Sequence, residues 1–181
     1  MTHFAAVLRG GSPRPAWFLV GLCEDLTPSP LGAIHDLALL APEQARTALL
    51  AAENAATAAV VLAELARTSP GPVVLVVEDV HWADDASLDT VRHLWRRTEQ
   101  VKMLLLLTYR EEELDDRHPA RRLLGSIVGP RVARLRLAPL TVSALRSLAE
   151  GTPFDAATLA EVTGATRRGE RPEDGAPAGR K

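Results

Sequence analysis

Cysteine is almost missing from this chain, since Cys23 stands alone. That excludes an internal disulfide and a cysteine metal cluster, and suits a reducing cytosol. Lysine is nearly as scarce: of 21 basic residues only Lys102 and Lys181 are lysines, and the other 19 are arginines. Any chemistry that needs a lysine has only those two positions to draw on. Excess charge is also lacking. A formal net charge of -2 and a pI of about 6.2 give no overall electrostatic reason to bind nucleic acid or an anionic membrane. No apolar run approaches the roughly 20 residues needed to span a bilayer, and "MTHFAAVLRGGSPRP" lacks a signal-peptide apolar region of adequate length. A cytoplasmic protein is expected. Repeats, heptads and a helix-turn-helix pattern are likewise missing.

What is present reads as an ordinary folded domain. The 181 residues, 46% hydrophobic and 24% charged, suit one domain better than two. Apolar runs rich in Val and Leu recur four times, as "AWFLVGL", "PVVLVV", "KMLLLLTY" and "VARLRLAPL". The second and third are continuous, the pattern of strands covered on both faces in a parallel sheet. The fourth alternates, which predicts an edge strand. Between them, "LGAIHDLALLA", "PEQARTALLAAENAATAAVVLAELART", "ASLDTVRHLWRRTEQ", "HPARRLLGSIV", "TVSALRSLAE" and "DAATLAEVTG" read as helices. Pro42 suits a first turn, and Asp84 or Asp85 an N-cap. Strands alternating with helices of this length indicate an α/β fold, a parallel sheet flanked by helices. From Ala165 onward the chain is Gly, Pro and charge with no large apolar residue, and a disordered tail over 165–181 is expected.

The stretch "PVVLVVEDVHWADD" delivers Glu78 and Asp79 together at the end of a buried strand. In open α/β sheets ligands gather at the carboxyl ends of strands. A magnesium ion is held there by one or two carboxylates with waters and substrate phosphates, and a second acid can orient or deprotonate a water. The same pair also fits turn formation or helix capping. The next strand ends in Thr108, Tyr109 and Arg110, and a hydroxyl and a guanidinium beside the acids can sense or neutralise a phosphate.

"VVLVVEDVHWADDASLDTVRHLWRR", "LLLLTYREEELDDRHPARRLL" and "VARLRLAPLTVSALRSLA" together resemble the ATPase domain of large bacterial LuxR-type transcriptional regulators, in the STAND group of AAA-like P-loop NTPases. "GLCEDLTPSPLGAIHDLA" is similar to that family's segment after its second strand. The resemblance runs from about Thr2 to Gly164 and implies an incomplete P-loop NTPase fold: second to fifth strands over 1–140, and the start of a helical lid over 141–164. It implies ATP and Mg2+ as cofactors, with Glu78 as the Walker B acid that supports the metal. Asp79 becomes the following acid, tied to hydrolysis and to the metal, and Thr108 and Arg110 become sensor residues that bind the nucleotide. For His81 and Trp82 a local hydrogen bond and packing are expected, and for Cys23 a small buried role.

The family pattern is broken at one decisive place. A P-loop needs G-x-x-x-x-G-K-[S/T], whose backbone N–H groups and lysine hold the phosphates, and this sequence contains none. "THFAAVL" is similar to the helix that follows that loop, so a chain truncated at its front is expected, its first strand falling between the third and fourth read here. Where the family continues "TGGNPF", this chain reads "TGATRRGERPEDG", as a shifted reading frame or a linker would give. The expectation is therefore a fragment of an ATP-binding regulatory switch that keeps its Walker B and sensor elements. Nucleotide affinity would be weak or nil, and hydrolysis missing. The alternative is a non-catalytic interaction module that pairs with a full-length homologue through open sheet edges. Direct DNA contact through the arginines of "DRHPARRLL" and "RVARLRL" is not expected, because "EEELDD" lies close enough to pair with them.

Overall fold

A computed structural model of the protein describes residues 16–25, 29–138 and 140–150. "THFAAVL", "RGGSPR", the helix read in "DAATLAEVTG" and the tail from Ala165 lie outside them. The chain divides into two compact units, Met1–Val132 and Ala133–Lys181.

The first unit is an α/β layer built on a three-stranded parallel sheet in the order β1-β2-β3. Strand β1 is Trp17–Leu22, β2 is Val73–Glu78 and β3 is Met103–Leu107. The register pairs Leu19 with Leu75 and Leu75 with Leu105. Parallel neighbours require long crossovers, and helices fill them. Helix α1 (Gly32–Leu40), α2 (Glu43–Leu50) and α3 (Ala55–Thr68) lie between β1 and β2. Helix α4 (Asp85–Trp95) lies between β2 and β3, and α5 (Pro119–Ser126) follows β3.

Strand β2 is central, and its five valines and leucines are all buried. Alternation sends Val73 and Leu75 into a core with Leu19, Ile34, Leu37, Leu49, Leu62 and Leu94, drawn from β1 and four helices. Val77, on the same face, meets Leu88, Val91 and Leu123 from α4 and α5. Val74 and Val76 turn the other way to join Phe18. Burial of this kind stabilises by roughly 25 cal/mol for each Å² of apolar surface removed from water.

Two expectations need correction. The long alanine-rich stretch is not one helix but two, because Asn54 turns extended and caps α3, its Oδ1 accepting the Thr57 N–H at 2.9 Å. A side-chain cap satisfies a first-turn donor and so favours a new start over continuation. Pro42 accordingly stands just before α2, in extended conformation. The alternating run "VARLRLAPL" forms no strand among its described residues, and Leu135 and Leu137 are 86% and 89% exposed. Alternation alone stabilises a strand only when one face is covered. In the second unit the described residues form one helix, α6 (Val142–Ala149), with the Thr141 hydroxyl accepting the Ala144 N–H at its start.

Candidate functional site

Glu78 is the last residue of β2, and its carbonyl accepts the Cys23 N–H at 3.0 Å, which ties it to the end of β1. Asp79 leaves the strand in the left-handed region, at φ 56° and ψ 47°. Among non-glycine residues Asp and Asn tolerate that conformation best, and such outliers gather at functional turns. Here the turn bends the chain into one 3-10 turn, Val80–Trp82, and then into α4.

Thr108 fixes this turn from β3. Its N–H donates to the Val77 carbonyl at 3.1 Å, its carbonyl accepts the Val80 N–H at 2.9 Å, and its Oγ1 accepts the Asp79 N–H at 3.0 Å. The hydroxyl proton is not used in that bond. Of the expected site residues, Glu78, Asp79 and Thr108 are thus brought together at adjacent strand ends.

Arg110 is held differently. Its backbone N–H donates to His81 Nδ1 at 3.4 Å, so the local hydrogen bond expected of His81 is present. Its guanidinium lies 5.7 Å from the centre of the Trp82 ring, within cation–π range, and its Nη1 is 3.1 Å from Glu113 Oε1. His81 is buried, with its ring 4.6 Å from that of Trp82. Glu113 is a residue that the sequence does not single out from the acidic run "EEELDD". Its spacing of three from Arg110 was the available signal, since such residues eclipse on the 3-10 turn Glu111–Glu113. Elsewhere in that run Asp116 pairs with Arg121 at 3.5 Å.

Beside the strand tips an open cleft of about 200 Å³ is lined by Cys23, Glu24, His35, Asp36, Trp82 and Asp84, among others. Burial, followed by the negative charges of Asp84, Asp79 and Asp36, pushes the Cys23 thiol up to about 12. The thiol is inert near neutrality. Asp84 caps α4 by accepting the Ser87 N–H at 2.9 Å and reaches back to accept the Leu31 N–H at 3.0 Å.

The donor set at the β2 tip, two carboxylates and a hydroxyl, is all hard oxygen and fits a magnesium ion. Among the described residues no three His, Cys, Asp or Glu gather into a metal-holding group. A magnesium ion completed by waters and phosphates does not need three. Lys102 stands just before β3, at the opposite end of the strand from Thr108, and cannot serve these carboxylates.

A family model for an AAA ATPase domain matches residues 3–107, more than half of the sequence. The chain belongs to the AAA ATPase domain family. Glu78 and Asp79 lie inside the matched part of the AAA ATPase domain, while Thr108 and Arg110 follow immediately after it. Members of this family use a nucleotide with Mg2+ as a general property. No match was found among curated proteins or among solved structures. No helix among the described residues is long and apolar enough to cross a membrane.

Proposed function

We propose that this AAA ATPase domain is part of a nucleotide-dependent regulatory switch of the LuxR-type regulator kind, and that the chain by itself does not turn over ATP. The observation that carries the reading is the Thr108 hydroxyl closing on the Asp79 N–H at 3.0 Å, which couples the ends of β2 and β3 where a phosphate would lie. Glu78 would hold a magnesium ion with Asp79 beside it. That ion, when bound, supplies charge neutralisation on the phosphates. Asp79 would orient a water, Thr108 would donate its free proton to a phosphate oxygen or that water, and Arg110 would neutralise phosphate charge. The parent's role in transcription rests on the sequence resemblance alone.

Positioning and electrostatic stabilisation carry phosphoryl transfer, and the P-loop supplies much of both. With no such motif in this sequence, ATP turnover is expected at the uncatalysed background and Mg2+–ATP affinity no tighter than millimolar. A coupled phosphate-release assay on wild type and Asp79→Asn checks this. A Mg2+-dependent rate that Asp79→Asn abolishes would overturn the claim of inactivity.

A second reading is favoured by β3. Thr108 and Lys102 bond to β2, so the alternate Leu105 and Leu107 amides face outward, and among the described residues no strand pairs with them. Leu104 is 48% exposed. An open apolar edge recruits strands, here from a homologous regulator. Under this reading light scattering gives a concentration-dependent mass above that of one chain, and a strict monomer at 100 μM, roughly a hundred times a micromolar dissociation constant, refutes self-pairing.

A further inference from the structure

We propose that Glu113 is an internal anion occupying the place where Arg110 and His81 would otherwise meet a phosphoryl oxyanion. The proposal deepens the reading of Arg110 as a phosphate-neutralising residue and rests on it. One carboxylate spans both groups, with Oε1 3.1 Å from Arg110 Nη1 and Oε2 3.3 Å from His81 Nε2. It is carried on the 3-10 turn that begins directly after Arg110.

His81 is the fixed half of this arrangement. Its side chain is fully buried, and its Nδ1 accepts the Arg110 N–H. An imidazole that accepts at Nδ1 carries its proton, when neutral, at Nε2. That nitrogen is therefore a donor on a buried ring, with the Glu113 carboxylate close by. Yet it makes no hydrogen bond: the oxygen is close, but lies off the N–H direction. A buried donor left without an acceptor is costly, and an anion's oxygen would satisfy it.

Arg110 is the exposed half. Its side chain is 58% exposed, so part of the five-donor guanidinium fork is open to solvent while one edge meets Glu113. The Glu113 carboxylate, tethered by a three-residue turn, hydrogen-bonds Arg110 and leaves the His81 donor unmet. A phosphoryl group, with three or four oxygens and no tether, can meet both. The Glu113 pair is itself weakly held, since ion pairs this exposed stabilise little. Glu111 and Glu112 add negative charge nearby, so an incoming anion gains most once the Glu113 charge is removed.

The test follows the Arg110 Nε, His81 Nε2 and Trp82 Nε1 resonances of the ¹⁵N-labelled full chain at fixed ionic strength. Wild type, Glu113→Gln and Glu113→Gln/Arg110→Gln are each titrated with inorganic phosphate and then with ATP. Glu113→Gln is expected to bind phosphate about fivefold more tightly than wild type, or better, which is ~1 kcal/mol. The His81 Nε2 resonance should move with it, and Arg110→Gln should erase the gain. Equal affinity in wild type and Glu113→Gln would overturn the proposal, as would a gain that survives loss of Arg110. ATP binding more than tenfold tighter than phosphate identifies a nucleotide as the source of the oxyanion; equal affinities identify free phosphate. A Mg2+ titration of the ¹³C-labelled full chain, read at the Glu78 and Asp79 carboxyl carbons, separates the two claims. A Glu113→Gln gain without a Mg2+ response upholds the internal anion and overturns the metal reading, and the reverse pattern does the opposite. Glu113→Ala serves as the second variant should Glu113→Gln lose resonance dispersion.

Discussion

Replacing Gly21 with alanine is expected to destabilise the protein by about 3 kcal/mol or more, seen as a lower urea midpoint or as loss of soluble protein. Gly21 lies in β1 where α1 crosses closest. A Cβ built there would sit 2.1 Å from the Ala33 carbonyl oxygen and 2.9 Å from its carbon. Both atoms are backbone, so no rotamer change relieves the clash, and α1 would have to lift. That helix brings Ile34, Leu37 and Ala38 to the core and Asp36 to the Leu22 N–H at 3.1 Å. The contact also sets the rim of the acidic cleft, so the same change should disturb the Cys23 environment. Gly125 supplies the control. It lies in α5 with nothing within 4 Å of a built Cβ, so Gly125→Ala is expected to be neutral or stabilising by up to ~1 kcal/mol. A Gly21→Ala midpoint within error of wild type would refute the close approach.

Much of this architecture could be read before the fold was seen, for a physical reason. The run "PVVLVV" is apolar at every position, and only a strand covered on both faces stabilises such a pattern in water; β2 is that central strand. A cap was equally legible where a side chain acts within its own turn, as with Asp84, one of two neighbouring candidates, for α4. Competition between local signals was harder to read. Asn54 sits among alanines that favour helix on both sides, and the chain breaks there because one carboxamide satisfies a donor that a continuous helix would not leave open. Likewise Leu135 and Leu137 alternate as strand residues do, but alternation carries no information about whether a partner covers them.

The site divides along the same line. Glu78, Asp79, Thr108 and Arg110 were marked by residue type at the ends of apolar runs. Their coupling was not, because it runs between segments 29 residues apart, from Thr108 to Asp79 and from Arg110 to His81. Parallel register decides such pairs, and register is a property of the assembled sheet. Glu113 was hidden for another reason: in "REEE" three carboxylates compete for one arginine, and only the 3-10 turn selects the third.

Asp84→Ala is expected to destabilise by about 2–4 kcal/mol in urea unfolding, whereas Asp84→Asn should stay within about 1 kcal/mol of wild type. One oxygen, Oδ1, accepts both the Ser87 N–H of α4 and the Leu31 N–H that precedes α1, and Oδ2 meets the Ser87 hydroxyl at 2.5 Å. Leu31 is itself left-handed at φ 61°, a conformation that costs a leucine roughly 1–2 kcal/mol and that this bond helps to hold. Alanine leaves both N–H donors open, while asparagine keeps an acceptor at Oδ1, removes the charge and turns Oδ2 into an amide donor to which the Ser87 hydroxyl can reorient as acceptor. The charge has its own readout. Because Asp84 is the largest contributor after burial to the raised Cys23 pKa, Asp84→Asn should lower that pKa while leaving it above 9.0. The sign follows from the thiol being harder to ionise when folded. Its contribution to stability is fully present below pH 9 and is lost as pH rises toward 12, so Asp84→Asn should weaken that alkaline loss and speed Cys23 alkylation at a given pH. If Asp84→Asn were as unstable as Asp84→Ala, the tie between α4 and the start of α1 would depend on charge rather than on a shared acceptor.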